Sequence, residues 1–272
     1  MTAKTPAADQ LTARLAQHPA TLGVFLPAGF PAPGLDIEAL STFADAGAGV
    51  LEIGVPVHNP SLDGPDITEA YRRALHHGTQ MRDVLATVSE AATITSASVV
   101  VMSYWNAVRQ YGIEAFTQDL AEAGAAGAMI PDLPLAEAGP WLTAACAAGL
   151  HTPQFAPRPS TDSLLAQICA AASGWIYAPA ALGPTGFTGA LDHTELERFT
   201  QRLRRATDVP VVTGVGVSTP ELAAQVAPYV NGAVIGSPLV RPLLRRPDRT
   251  GIAAAADRVA LFADSLRTPA LT

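Results

Sequence analysis

Eight short apolar runs recur along this chain, and a loop or an Ala-rich stretch with helical spacing follows each of them. In chain order the runs span residues 22–26, 50–55, 99–102, 128–130, 154–156, 175–178, 209–213 and 232–235. Uniformly apolar strands that alternate with helices are typical of α/β proteins with a buried parallel sheet. Eight such units without a linker favour one α/β (β/α)8 barrel, a TIM barrel, over an open eight-stranded sheet.

Length and composition are consistent with a single domain over residues 1–272. Of these 272 residues, 49% are hydrophobic and 15% are charged, which is typical of an ordered protein with a large core. Residues 8–18 have helical spacing and predict an extra N-terminal helix that closes the bottom of the barrel. Residues 1–7 and 268–272 are expected to be flexible tails.

The charge pattern argues against two classes of partner. The net charge is −7 and basic residues form no run longer than a pair, so nucleic-acid binding is not expected. No apolar run reaches the roughly 18 residues of a membrane-spanning helix, and the first residues lack a signal-peptide core. Cys146 and Cys169 lie in helix-like stretches and are expected to be buried free thiols, which favours a cytoplasmic protein.

Lysine and histidine usage narrows the chemistry further. The only lysine is Lys4, close to the N-terminus, so a mechanism through a buried Schiff-base lysine is not expected. The six histidines lack the spacing of zinc ligands, and no metal site is predicted.

The second apolar run contains a carboxylate, within the stretch LEIGVPVHNPSLDGPDI. If Leu51 and Ile53 face the helices, strand alternation points Glu52 into the barrel. The alternative is a structural ion pair with an arginine of a neighbouring strand, but no apolar run contains an arginine. An unpaired buried glutamate has a raised pKa, which suits an acid–base catalyst near neutral pH. Asp63, in the following loop, is either a second acid over the same barrel mouth or an Asx-turn acceptor.

Glycine-rich loops follow the last three strands. In barrels of this kind the loops after strands seven and eight often bind phosphate through backbone amides and a helix N-terminus. The stretches TGVGVSTPE and IGSPLV occupy these positions and supply Gly216, Gly236 and Ser237. The loop at 181–190, after the sixth strand, is either a lid over the substrate or a plain surface loop.

Taken together, these motifs resemble the tryptophan synthase alpha subunit family. The similarity runs from about Leu22 to Val240 and includes LEIGVP, DGP, VVMSYWNAVRQYG, IPDLP, GWIYAPAALGPTG, GVGVSTPE and GAVIGSPLV. The resemblance implies cofactor-free retro-aldol cleavage of indole-3-glycerol phosphate to indole and glyceraldehyde 3-phosphate in tryptophan biosynthesis. It also implies a heterotetramer in which indole passes through a tunnel to a pyridoxal-phosphate beta subunit.

The resemblance also assigns roles to individual residues. Glu52 matches the acid–base that protonates the indole ring carbon and helps to deprotonate the glycerol hydroxyl. Asp63 matches the acid that accepts a hydrogen bond from the indole N–H. The other matched positions are Phe25, Tyr104, Met129, Tyr177 and the lid residue Thr185 around the indole, and Gly186, Gly216, Gly236 and Ser237 around the phosphate.

Five positions depart from the family's pattern: Phe30, His58, Asn59, Thr68 and Pro184. His58 and Asn59 replace a Ser-Asp pair on the loop that communicates with the beta subunit, and Pro184 stiffens the lid. These departures put the coupling to a beta subunit in doubt more than the catalysis. Two other functions stay open, a stand-alone lyase that releases free indole for specialised metabolism and a catalytically weak partner that activates a beta subunit.

Overall fold

Eight parallel strands form the centre of the molecule. A computed structural model describes residues 5–17, 20–183, 185, 189 and 191–267. Within these residues the strands are β1 (Thr21–Pro27), β2 (Val50–Gly54), β3 (Ser98–Met102), β4 (Gly127–Met129), β5 (Gln154–Phe155), β6 (Ile176–Tyr177), β7 (Val211–Thr213) and β8 (Gly232–Ile235). Their order is β4-β3-β2-β1-β8-β7-β6-β5, and a bridge between Gly127 and His151 joins the two ends. The predicted barrel is therefore confirmed, and the open-sheet alternative is wrong.

Helices surround the strands. They are α1 (Ala7–Leu15), α2 (Leu35–Asp45), α3 (Pro65–His76), α4 (Met81–Ile94), α5 (Trp105–Tyr111), α6 (Ile113–Glu122), α7 (Gly139–Ala147), α8 (Asp162–Ala171), α9 (His193–Ala206), α10 (Pro220–Val226), α11 (Ser237–Arg245) and α12 (Arg249–Arg267). Local sequence sets several helix starts; at α10 the Thr219 hydroxyl caps the Leu222 amide at 3.3 Å and Pro220 opens the first turn. None of the described helices is both long enough and apolar enough to cross a membrane.

Helix α1 lies at the amino ends of the strands. It ends at Leu15, whereas the sequence predicted a helix that continues to residue 18. Residues 18–19 lie outside the described residues. It forms hydrogen bonds with three residues that each lie shortly before a strand. These residues are Ser96, His151 and Asn231. The Nε2 atom of His151 lies 2.9 Å from Thr12 Oγ1 and 3.0 Å from the Ala8 carbonyl oxygen. Of the expected tails, residues 1–4 and 268–272 lie outside the described part, and Ala7 already belongs to α1.

One cysteine differs from the expectation of two buried thiols. Cys169 is buried in the core, but Cys146 is exposed. Trp141 and Ala145 form the buried face of α7, which lies towards the barrel. Because successive helix residues point about 100° apart, the residue after Ala145 faces solvent. The Ala-rich sequence of α7 gives little contrast between its two faces, and for this reason the prediction was wrong.

Candidate active site

A cavity of about 230 Å³ opens where the carboxyl ends of the strands meet, which is the functional face of a (β/α)8 barrel. Two carboxyl groups, Glu52 and Asp63, lie in its wall. Its apolar surface includes Phe25, Ile67, Met102, Met129, Phe155 and Tyr177. Among the described residues, no three His, Cys, Asp or Glu side chains group together in a way that could hold a metal ion.

Glu52 sits in the middle of β2, in register with Phe25 of β1 and Val100 of β3. The residue is 6% exposed, and no ion pair of the described residues includes it. Burial raises the pKa of the Glu52 carboxyl to about 8, and the nearby negative charge of Asp63 adds to this increase. Strand alternation points the Glu52 side chain into the cavity. Because its pKa is raised, the carboxyl group is protonated there at neutral pH.

Asp63 lies in the loop after β2 and accepts two hydrogen bonds from side chains of other loops. The Tyr104 hydroxyl donates to Oδ2 at 2.8 Å, and the Thr185 hydroxyl donates to Oδ1 at 3.3 Å. Burial raises the pKa of Asp63 to about 6, while these two hydrogen bonds lower it and limit the increase. Because its partners are side chains from distant loops, the Asp63 carboxylate is not only a hydrogen-bond acceptor within a local turn.

Thr185 connects the loop after β6 to the loop that carries Asp63. The Gly64 amide donates to Thr185 Oγ1 at 2.7 Å. A Cβ atom at position 64 would lie 1.9 Å from the Thr185 carbonyl oxygen, so only glycine permits this approach. Pro184 and Gly186, the other two lid residues named from the sequence, lie outside the described residues.

Tyr177 holds the loop after β7 in place. Its hydroxyl accepts a hydrogen bond from the Val215 amide at 2.7 Å, and its ring stacks on Phe155 with centroids 5.9 Å apart. Burial, together with the negative charge of Glu52, raises the pKa of Tyr177 well above its ordinary value. A Cβ at Gly214 would lie 2.4 Å from this hydroxyl, so the packing of the tyrosine requires glycine there.

The loops after β7 and β8 form a wall of small residues and backbone amides. Gly216 has a φ of 97°, in the left-handed region that favours glycine, and Gly236 immediately precedes α11. Gly216, Gly236 and Ser237 all line the cavity. The Ser237 hydroxyl is buried and has no hydrogen-bond partner among the described residues. A helix N-terminus with an unused hydroxyl and free amides is suited to bind an anion.

The residues that the sequence did not single out include Tyr71, which packs behind the cavity wall, and Arg158, which belongs to it. Tyr71 of α3 is fully buried, its ring packs edge-to-face on Phe25 at 6.3 Å, and its hydroxyl donates to Met102 Sδ at 3.7 Å. Arg158, after β5, lines the cavity. The helical spacing of buried residues in α3 was a signal for Tyr71. Arg158 gave none, because an arginine between two prolines reads as part of an exposed loop.

His58 and Asn59, also named from the sequence, are exposed and do not line the cavity. Tyr104 is not part of the cavity wall either, but it contacts the cavity through its hydrogen bond to Asp63. The structure therefore brings the catalytic and phosphate-binding candidates that it describes together around one space, and leaves the two altered positions of the second loop outside it.

Comparison with known proteins agrees with this geometry. The profile of the family described as "Tryptophan synthase alpha chain" matches residues 11–268. This chain belongs to that family. A tryptophan synthase alpha chain of Streptomyces coelicolor is 42% identical over 240 residues, which is 88% of each chain. One from Mycobacterium avium is 40% identical over 219 residues, or 80% of each chain.

Solved structures of tryptophan synthase share the alpha-chain fold. A structure of Mycobacterium tuberculosis tryptophan synthase superposes with a TM-score of 0.85 at 34% identity, covering 96% of both chains. The tryptophan synthase subunit alpha of Legionella pneumophila gives a TM-score of 0.86 at 28% identity, covering 97% of this chain and 99% of that one. The family resemblance and the TIM barrel expected from the sequence are both confirmed.

Proposed function

We propose that this alpha chain is a carbon–carbon lyase that cleaves indole-3-glycerol phosphate into indole and glyceraldehyde 3-phosphate in tryptophan biosynthesis. The observation that carries the proposal is one cavity with two carboxyl groups of different acidity. The pKa of Glu52 is about 8 and that of Asp63 is about 6. Near pH 7 Glu52 is therefore mostly protonated and Asp63 mostly ionised, which assigns the acid and the charge-stabilising base.

The reaction then needs no external electron acceptor. Glu52 donates its proton to the indole ring carbon that carries the glycerol chain, and Asp63 stabilises the resulting positive charge through the ring N–H. As the carbon–carbon bond breaks, its electron pair returns to the ring and restores the aromatic system. The Glu52 carboxylate accepts the proton of the adjacent hydroxyl, whose carbon becomes the aldehyde, so the net proton balance is zero.

Binding of the phosphate positions the substrate for this step. The proposed contacts are the backbone amides near Gly216 and Gly236, together with the unpartnered hydroxyl of Ser237. Anchoring the substrate at a distance from the reacting carbon lowers the entropy cost of aligning the ring with both carboxyl groups. Phe25 and Met129 supply apolar contacts for the indole ring, and Thr185 orients Asp63.

An indole-release assay on the purified chain tests the activity directly. Wild-type protein is expected to release indole, and Glu52→Gln to abolish release while it still binds glycerol 3-phosphate. Gly236→Asp is expected to weaken that binding sharply, because it adds bulk and negative charge at the proposed phosphate contact. Wild-type turnover in Glu52→Gln would contradict the assignment of the catalytic acid. Unchanged affinity for glycerol 3-phosphate in Gly236→Asp would contradict the proposed phosphate site.

The proposal includes a tryptophan synthase beta subunit as partner, in a cytoplasmic heterotetramer. The relatives named above are alpha chains, which favours neither a stand-alone lyase nor a catalytically weak partner. His58 and Asn59 are exposed on the loop after β2, and without the family's acid there we expect weak activation by the partner. Indole release measured with and without a beta subunit tests this, since strong stimulation would contradict it.

A further inference from the structure

Arg158 is the only Lys or Arg side chain in the described wall of the cavity. It follows β5, and its guanidinium lies over the ring of Phe199 with Cζ 5.5 Å from the centroid. Phe199 belongs to the buried face of α9, so the stacking fixes the position of the arginine against a rigid element. The side chain is thereby held at the edge of the cavity rather than extended into solvent.

The guanidinium of Arg158 lacks a carboxylate partner. Among the described residues its Nε atom is buried without a hydrogen-bond partner, and none of their ion pairs includes it. All 24 Asp and Glu residues fall within the described residues, so the remaining residues offer no carboxylate side chain. Burial lowers the pKa of Arg158, which means that its charge is partly desolvated. A desolvated charge of this kind is costly unless an anion binds it.

The two carboxylates that influence Arg158 most are already engaged with other groups. Glu195 and Asp192 both favour its charged form. However, Asp192 Oδ1 accepts a hydrogen bond from the Glu195 amide at 3.0 Å, as the cap of α9. Glu195 Oε1 accepts one from Arg198 Nη1 at 2.8 Å. These two acids therefore favour the charge of Arg158, but neither forms a hydrogen bond with it among the described contacts.

Arg158 and the proposed phosphate site line the same cavity. In the sheet order β5 is two strands, a distance of about 10 Å, from β7, whose following loop carries Gly216, and three strands from β8, which precedes Gly236 and Ser237. Indole-3-glycerol phosphate has one anionic group, its phosphate. The amides and hydroxyl proposed to hold it are neutral, so a cation at this edge is the missing charge complement.

We propose that Arg158 contacts the substrate phosphate and makes this enzyme select phosphorylated over unphosphorylated ligands. This inference rests on the proposed function and adds to it a specificity-determining residue. Guanidinium groups donate two parallel hydrogen bonds to phosphate oxygens, a geometry that lysine does not reproduce. Arg158→Lys should therefore restore only part of what Arg158→Gln loses.

Calorimetric titration with glycerol 3-phosphate, inorganic phosphate and indole tests the proposal on the full chain. Arg158→Gln is expected to weaken glycerol 3-phosphate and phosphate about 10- to 100-fold, and to leave indole affinity unchanged. In the indole-release assay its KM should rise by a similar factor while kcat changes little. Arg204→Gln, an exposed arginine of α9, is the matched control and should behave like wild type.

The outcomes separate this proposal from the proposed function. Loss of phosphate affinity in Arg158→Gln without indole release by the wild type would support the phosphate contact and refute the lyase assignment. Unchanged glycerol 3-phosphate affinity in Arg158→Gln would overturn the contact, and a lower melting temperature with that result would assign Arg158 to packing on Phe199. A fall in kcat at constant KM would equally overturn it.

Discussion

Replacing Glu52 by glutamine is expected to remove the activity and, at alkaline pH, to make the protein more stable. Glu52 is 6% exposed and forms no ion pair with any described residue. In the unfolded chain its carboxyl ionises near pH 4.5, but in the folded protein it does so only at about 8. The folded state therefore holds a proton that the unfolded state has lost, and its stability falls as the pH rises between these two values.

The size of the effect follows from the two pKa values. Each tenfold change in an equilibrium constant is about 1.4 kcal/mol, so moving the pKa of Glu52 from 4.5 to about 8 costs about 5 kcal/mol above pH 8. Below pH 4.5 the cost vanishes, because the carboxyl is protonated in both states. Glutamine keeps the shape of the side chain and has no charge to bury, so it avoids this cost at every pH.

Urea denaturation of wild type and Glu52→Gln between pH 5 and pH 9 measures the difference. The free energy of unfolding of the variant should exceed that of the wild type by an increasing amount, reaching several kcal/mol near pH 8 and then levelling off. Glu90→Gln, an exposed position on α4, serves as control and should show no such trend. A difference between wild type and Glu52→Gln that stays constant with pH would refute the reasoning.

Three further predictions concern catalysis. First, kcat/KM for indole release should rise with pH near 6 as Asp63 ionises and fall near 8 as Glu52 loses its proton. Second, Tyr104→Phe removes a hydrogen bond that lowers the pKa of Asp63, so the rising limb should move to higher pH. Third, Gly64→Ala places a methyl group 1.9 Å from the Thr185 carbonyl and should reduce indole release about 100-fold through displacement of the lid.

The first two of these predictions each have a result that would contradict them, and the third has a matched control. A pH profile with a single limb would contradict the division of roles between the two carboxyl groups. An unmoved rising limb in Tyr104→Phe would mean that its hydroxyl does not stabilise the ionised Asp63. For Gly64→Ala the matched control is Gly139→Ala, because a Cβ there meets nothing within 4 Å and its activity should persist.

The sequence predicted the barrel and the direction of the Glu52 side chain because both depend on local patterns. Apart from Glu52 and Ser98, strands β2 and β3 are apolar, and their ends lie within one residue of the predicted ones. The same alternation that defines β2 determines which way Glu52 points, so the fold prediction and the site prediction were one inference. The two-residue strands β5 and β6 are shorter than their apolar runs, because pairing ends where the chain turns into loops.

What the sequence did not predict depends on contacts between distant segments. Arg158 enters the cavity because Phe199, 41 positions later, provides a surface for its guanidinium. The separation of the two pKa values likewise depends on Tyr104 and Thr185, which come from two other loops. Neither relation has a local periodicity or a turn signal, so only the folded structure reveals them.

His151 contacts two segments that are far apart in sequence, strand β4 and helix α1. Its backbone pairs with β4, through the amide to the Ala126 carbonyl at 2.9 Å and through the carbonyl to the Ala128 amide at 3.0 Å. Its ring binds α1 at Thr12 and Ala8. Local opening of the seam between β4 and β5 therefore also breaks the contacts of His151 with the N-terminal helix. In hydrogen exchange, amides of α1 and of β4 should lose protection together, as one cooperative unit.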